Sequence, residues 1–261
     1  MNRLRKSKFK FLTLGMVLAT GLLVTSQSYA IVITGWTTVG NSGTLGANGV
    51  VTSPYSTQYG YVTTAGGVAL GAGDLNLGSE TNGSVITSPF FTAAAGDSLV
   101  FNFNYVTSDG AGFADYTWAR LLDSTSSVAA GLFTARTAVS GNTVPGFGMP
   151  ANSATLVPAS TPIIPGGPAW SPLGGSSGAC YSTGCGYTGW IQATYVIPTA
   201  GNYKLQFGVV NWLDTLYDSG LAFDGATIAG TVIGSVPEPA TLALMGLGLL
   251  GLGLGKRRRQ V

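Results

Sequence analysis

The stretch Ser98–Asp109, SLVFNFNYVTSD, decides the fold. Leu99, Phe101, Phe103 and Tyr105 alternate with Val100, Asn102, Asn104 and Val106. An extended chain turns successive side chains to opposite faces, so this period of two predicts a half-buried β-strand. Residues 202–212, NYKLQFGVVNW, repeat the pattern: Tyr203, Leu205, Phe207 and Val209 on one face, Lys204, Gln206 and Gly208 on the other. Weaker strand candidates are VITSPFFT (85–92), DYTWARLLD (115–123), VAAGLFTA (128–135), GWIQATYVI (189–197) and LAFDGATIA (221–229). Each is bounded by Gly, Pro, Asp or Ser, the spacing of a sandwich of short antiparallel strands. AAAGDSL (93–99) and PTAGNYKL (198–205) read as turns feeding strands.

The formal charge of +2 conceals an acidic body. Nine of the twelve cations lie in the two terminal segments. Between Ile31 and Val236, Arg120, Arg136 and Lys204 stand against nine carboxylates, a net charge of about −6. That balance argues against nucleic acid or anionic lipid as the partner of the body. Few Lys and Glu residues leave little to clothe helix surfaces, while recurring Val, Ile, Phe, Tyr and Trp argue against disorder.

From Ser140 to Gly189 the periodicity breaks into a Pro- and Gly-rich segment. Loops of that length are uncommon in compact domains unless functional or pinned. Cys180 and Cys185 enclose four residues, and in an oxidising compartment a local disulfide between them would fix the loop tip. Trp170, Tyr181, Tyr187 and Trp190 crowd around it. Flat rings with hydroxyl or indole groups suit stacking on sugar faces. The favoured reading is plainer, a local apolar cluster that holds the loop down.

The chain contains no histidine, which removes Ser-His-Asp and Cys-His nucleophile systems and histidine-bound metals. Paired carboxylates could still cleave a glycosidic bond, and Glu80, Asp109, Asp115, Asp214, Asp218 and Asp224 are the candidates. Aspartates beside Gly, Asn and Ser more often shape turns. A calcium site is the other candidate use. TSDGAGFADYTW brings Asp109 and Asp115 around a glycine loop, and NWLDTLYDSGLAFDG gathers Asn211, Asp214, Asp218 and Asp224. These are oxygen donors of the kind calcium takes. Calcium is the one cofactor considered, and no EF-hand pattern accompanies it.

Both termini read as transport labels. Arg3, Arg5, Lys6, Lys8 and Lys10 precede an apolar stretch from Phe11 to Val24, then Ser28 and Ala30. That is a secretory signal peptide for the Sec translocation machinery, with cleavage after Ala30. At the other end Ala240–Gly255 is a 16-residue apolar run containing five glycines. As a helix it would reach roughly 24 Å, short of the ~30 Å hydrocarbon core. It predicts a weak, temporary transmembrane helix with Lys256, Arg257, Arg258 and Arg259 held on the cytoplasmic side. Pro237 and Pro239 bracket Glu238 in a stiff extended segment before it.

Val236-Pro237-Glu238-Pro239, the glycine-rich run and the basic cluster, in that order, resemble a PEP-CTERM sorting signal. The resemblance implies an exosortase-type membrane enzyme of exopolysaccharide-producing Gram-negative bacteria as processing partner. It also implies passage through the inner membrane, tail removal near the Pro-Glu-Pro, and delivery to the cell surface or extracellular matrix. The body, through ITSPFFTAAAGDSLVFNFNYVTSDG, ADYTWARLLD and YDSGLAFDG, is similar to β-sandwich ectodomains of such proteins. GPAWSPLGGSSGACYSTGCGYTGW resembles the signature of an uncharacterised subgroup among them.

The expected organisation is a signal peptide at 1–30, a sandwich ectodomain at 31–235 and a sorting segment at 236–261. The expected fold is all-β, a jelly-roll-like antiparallel sandwich flanked by a signal helix and a short C-terminal apolar helix. The first functional reading is a non-catalytic surface or matrix protein of biofilm exopolysaccharide, with glycan contact as its candidate role. The alternatives are an adhesin that binds protein surfaces and a secreted carboxylate-dependent glycoside hydrolase.

Overall fold

The computed structural model describes residues 33–159 and 161–234. The predicted signal peptide and its Ala30 junction lie outside these residues, as do the sorting segment with Pro237–Pro239 and the cluster at 256–259. Among the described residues no helix is long and apolar enough to cross a membrane.

In chain order the strands are β1 (Thr37–Val39), β2 (Asn41–Leu45), β3 (Tyr59–Thr63), β4 (Glu80–Thr87), β5 (Phe91–Ala93), β6 (Ser98–Thr107), β7 (Tyr116–Leu122) and β8 (Val128–Arg136). There follow β9 (Thr155–Val157), β10 (Ile164–Pro165), β11 (Gly186–Tyr187), β12 (Ile191–Val196), β13 (Gly201–Trp212), β14 (Ser219–Ile228) and β15 (Thr231–Val232). The first sheet runs β1-β4-β13-β7-β8, with β5 also paired to β13. The second runs β10-β11-β6-β14-β3-β2, with β12 also on β6, β9 on β12 and β15 on β14. The pairings are antiparallel throughout, so the fold is an antiparallel β-sandwich.

The alternating residues that announced the strands meet between the sheets. Leu99, Phe101, Phe103 and Tyr105 of β6 face Leu205, Phe207 and Val209 of β13 and Phe133 of β8. Phe103 stacks on Phe133 at 3.6 Å between ring centroids, Phe207 stacks on Phe223 at 4.3 Å, and Phe101 meets Phe207 edge-on at 5.2 Å. Each buried ring contributes roughly 1.5–3 kcal/mol by leaving water.

The half-buried expectation for β6 needs correction. Its other face is covered as well: Asn102, Asn104 and Val106 are all buried. The cover comes from segments that carry no strand signal. Val51, Trp170 and Leu173 pack over Tyr59, Val106 and Ala222 on the outside of the second sheet. Leu70, Leu75 and Met149 pack over Val85, Tyr116, Trp118 and Val210 on the outside of the first. Each outer face holds one indole laid across a glycine. A Cβ on Gly208 would collide with the Trp118 ring, and one on Gly220 would come within 2.5 Å of Trp170 Cζ3. Here glycine gives the indole room to lie flat on the sheet.

The sandwich has two distinct poles. Along β6 and β14, Leu99 pairs with Ile228 at one end and Thr107 with Ser219 at the other. Gly201 of β13 pairs with Ala93 of β5 at the first pole, and Trp212 reaches the second. The described chain enters and leaves near the first pole: Thr34, Gly35, Ile233 and Gly234 line one groove there with Phe90 and Asp97. The ten residues of β6 separate the poles by roughly 30 Å.

Candidate functional site

Three loops meet at the pole far from the chain ends: 108–115 between β6 and β7, 180–185 before β11, and 213–218 between β13 and β14. Backbone hydrogen bonds lace them together. The Tyr181 N–H donates to the Ser108 carbonyl at 2.9 Å and the Ala111 N–H to Thr183 at 2.9 Å. Both the N–H and the hydroxyl of Ser108 donate to the Asp218 carbonyl, at 3.2 and 2.8 Å. Cys180 and Cys185 form a disulfide, with Cα atoms 5.6 Å apart, and so pin the middle loop as expected.

The aromatic residues around that loop divide into two groups. Trp170 is 1% exposed, and its Nε1–H donates to the Tyr59 hydroxyl at 2.8 Å. Trp190 donates to the Thr52 carbonyl at 2.6 Å and sits edge-on to Tyr59, while Tyr187 packs on the same cluster. These three hold the Pro/Gly-rich segment onto the second sheet, which is the plainer reading. Trp170 is withdrawn as a sugar platform because its ring is sealed under the loop. Tyr181 behaves differently. It is 48% exposed, edge-on to Phe113 at 5.6 Å and tilted against Tyr217 at 5.1 Å. Phe113 and Tyr217 are the members that the sequence reading missed. Their signal was there: each is an aromatic residue within a Gly- or Asp-rich turn, where no core is available to bury it.

The acidic residues of the two sequence clusters meet in part. Asp115 is fully buried; its carboxylate accepts the Ser219 hydroxyl at 2.6 Å and the Trp212 N–H at 2.9 Å. Burial pushes its pKa well above the usual carboxylate range, and the neighbouring charge of Asp109 pushes the same way. Asp109 is 1% exposed, accepts the Gly110 N–H through Oδ1, and has no partner for Oδ2. Desolvation, helped by the nearby Asp214 charge, raises it to about 7. Asp214 accepts the Leu216 N–H at 2.9 Å, and Asp218 accepts hydroxyls from Thr64 and Ser176. Glu80 accepts the Tyr116 hydroxyl at 2.5 Å and three backbone N–H groups.

Asp224 stands apart. It lies on β14 opposite Asn102 and accepts the Ser53 hydroxyl and the Gly225 N–H. Asn211 donates to Asn82 at 3.0 Å, and its own Oδ1 has no partner. Among the described residues no three Asp, Glu, Cys or His side chains converge to hold a metal. The carboxylates considered for calcium are instead taken up by hydroxyl and backbone donors or buried singly.

The architecture is thus that of a β-sandwich whose loops at one pole carry a ring cluster with Tyr181 exposed. The chain bears a PEP-CTERM protein-sorting motif, which matches residues 235–259. That signal implies export, a transient membrane anchor in a Gram-negative bacterium and processing by an exosortase. No curated protein sequence matches the chain. Among solved structures, it is similar to the enzymatically active domain of bacteriophage CBA120 tailspike protein 4, at 11% identity and a TM-score of 0.34, covering 75% of this chain and 19% of that one. It is also similar to TmCBM61 in complex with β-1,4-galactotriose, at 9% identity and TM-score 0.33 over 73% of this chain and 89% of that one. A third likeness is to the CBM22-1–GH10 modules of Clostridium thermocellum xylanase 10B complexed with xylohexaose, at 14% identity and TM-score 0.31 over 77% and 27%. The chain therefore spans about a fifth of the tailspike and a quarter of the xylanase modules.

Proposed function

We propose that the processed protein is a non-catalytic component of the cell surface or extracellular matrix, and that its far-pole loops contact exopolysaccharide. The observation that carries this reading is the exposed Tyr181 ring, packed against the half-buried rings of Phe113 and Tyr217 on a loop closed by a disulfide at the pole opposite the chain ends. A chain held by its C-terminal segment would present these rings away from the anchor. Ring faces stack on the apolar faces of sugars, and the half-exposed Asp214 and Asp218 stand beside them to accept hydroxyls. A hydrolase would need its two acids open to substrate, and of the six candidate carboxylates Asp109, Asp115 and Asp224 are buried.

Affinity electrophoresis of the exported protein through gels containing neutral polysaccharides tests this reading. Retardation is expected, and Tyr181→Ala should remove it while leaving the melting temperature unchanged. Equal retardation of the variant and the parent would refute the assignment.

The adhesin reading has one specific observation in its favour. Leu213 and Leu216, 52% and 62% exposed, flank the same rings. Binding to protein surfaces that soluble polysaccharide fails to compete, and that Leu216→Asp abolishes, would favour it.

A further inference from the structure

Two of the three cations of the body, Arg120 and Lys204, meet in one polar groove on the outside of the first sheet, away from the far-pole loops. Thr37, Thr87, Gln206 and Arg120 form a row across β1, β4, β13 and β7, each opposite the next in register. Side-chain hydrogen bonds join the row: Gln206 Nε2–H donates to Thr87 Oγ1 at 2.9 Å, and Arg120 Nε–H donates to Gln206 Oε1. Arg120 also donates to the carbonyls of Gly73 and Asp74, at 2.7 and 3.2 Å. These bonds use three of its five N–H groups and hold the guanidinium in place. Lys204 lies one step along β13, over the Phe90 ring at 4.2 Å and 3.4 Å from the Ser126 hydroxyl. The groove has a volume of ≈ 510 Å³.

Neither cation forms an ion pair with a carboxylate among the described residues, although the body is strongly acidic. Asp74, whose carbonyl Arg120 holds, is the nearby carboxylate whose charge attracts the guanidinium, and Asp123 lies in the turn that carries Ser126. Asp74 accepts the Asn76 N–H, and Asp123 accepts N–H groups and a hydroxyl within its own turn. Positive charge of this kind, fixed in a concave polar site, is pre-organised for an anion. The lining of Thr, Ser and Gln matches sugar hydroxyls, and the volume lies in the range of small-ligand sites. The apolar lining of the groove is Leu122 and Val128, with none of the aromatic anchors on which a protein interface depends.

We infer that this groove binds the anionic substituent of an acidic polysaccharide, with Arg120 and Lys204 as charge partners and Gln206 and Thr87 as contacts to neighbouring hydroxyls. The body's overall negative charge does not forbid it. At physiological salt, charges more than about 8 Å away are largely screened, so the balance is set locally, by Arg120 and Lys204 against Asp74.

The test is affinity electrophoresis of the exported protein in gels containing polygalacturonate, dextran sulfate or neutral dextran. Retardation by polygalacturonate or dextran sulfate beyond any that dextran gives through the far pole is expected, and which of the two acts identifies the substituent as carboxylate or sulfate. Half-saturation should rise with added salt. Lys204→Glu, a change at a half-exposed position, should weaken retardation about fivefold or more. Arg120→Gln should do the same if its melting curve shows a folded protein. Tyr181→Ala should leave this retardation intact, which separates the result from that at the far pole. Failure of both anionic polymers, equal retardation by dextran, or an unaltered Lys204→Glu variant would overturn the inference.

Discussion

Replacing Asp109 with asparagine should change how the stability of the protein depends on pH, and the structure fixes the sign. The fold raises the Asp109 carboxyl to about 7, first by desolvation. A carboxyl so raised favours the native state while protonated. Its contribution is fully present below the unfolded value near 3.9 and is lost as pH climbs through the folded value. The full span is roughly 3 units, or about 4 kcal/mol, and about 2–3 kcal/mol of it falls between pH 5 and pH 8. Asp109→Asn removes that titration and also relieves Asp115, whose own upward shift the Asp109 charge increases. The assay is urea denaturation at pH 5 and pH 8, followed by tryptophan fluorescence and extrapolated linearly. The parent should lose about 2–3 kcal/mol more than the variant between the two pH values. Comparing slopes cancels any fixed cost of the buried amide. Identical slopes would mean that Asp109 is ionised in the native state throughout, and the account of the buried acidic pole would be wrong.

Other perturbations test the covers and the labels. Trp170→Ala should cost roughly 3–5 kcal/mol in denaturant unfolding, because it empties the space between the long segment and the second sheet. Gly208→Ala drives a methyl group into the Trp118 ring and should cost about 1–3 kcal/mol by the same measurement. Cys180→Ser opens a short loop and should lower stability by about 2 kcal/mol, with weaker glycan retention as Tyr181 loses its fixed position. Glu238→Ala should leave the C-terminal tail attached to the exported protein, read directly by intact mass.

The strands were legible because their signal is local. β6 and β13 have a clean alternation, and β7, β8, β12 and β14 lie where the weaker candidates were placed, whereas VITSPFFT (85–92) is broken at Pro89 between the end of β4 and the start of β5. β2 and β3, at NSGTL and YGYVT, went unread, because glycine interrupts the alternation in both. The covering layers were illegible for a deeper reason. Trp170, Leu173, Val51 and Leu70 are single apolar residues in irregular chain, and what buries each is a partner more than a hundred residues away or on another sheet. The site shows the same division. The cysteine pair was readable from spacing and compartment, whereas the separation of Tyr181 from Trp170 and the arrival of Phe113 and Tyr217 depend on three loops meeting in space.

The covering layers also explain the composition. A two-layer sandwich normally turns two polar faces to water, yet only 8% of this chain is charged. The outer faces here are partly core: Val85, Val106, Val210, Trp118 and Ala222 are buried under irregular segments. Charge is therefore not needed along most of the strands; Asp109, Asp115 and Asp224 are buried, and several half-exposed charged groups stand where the cover is incomplete. At the far pole these are Asp214 and Asp218 near the Tyr181 ring cluster, and on the first sheet Arg120 and Lys204 in a groove between the β7–β8 turn and β1. In a chain so sparing of charge, two cations share one groove on a sheet face with no ion pair among the described residues, and an anionic ligand would use that positive charge.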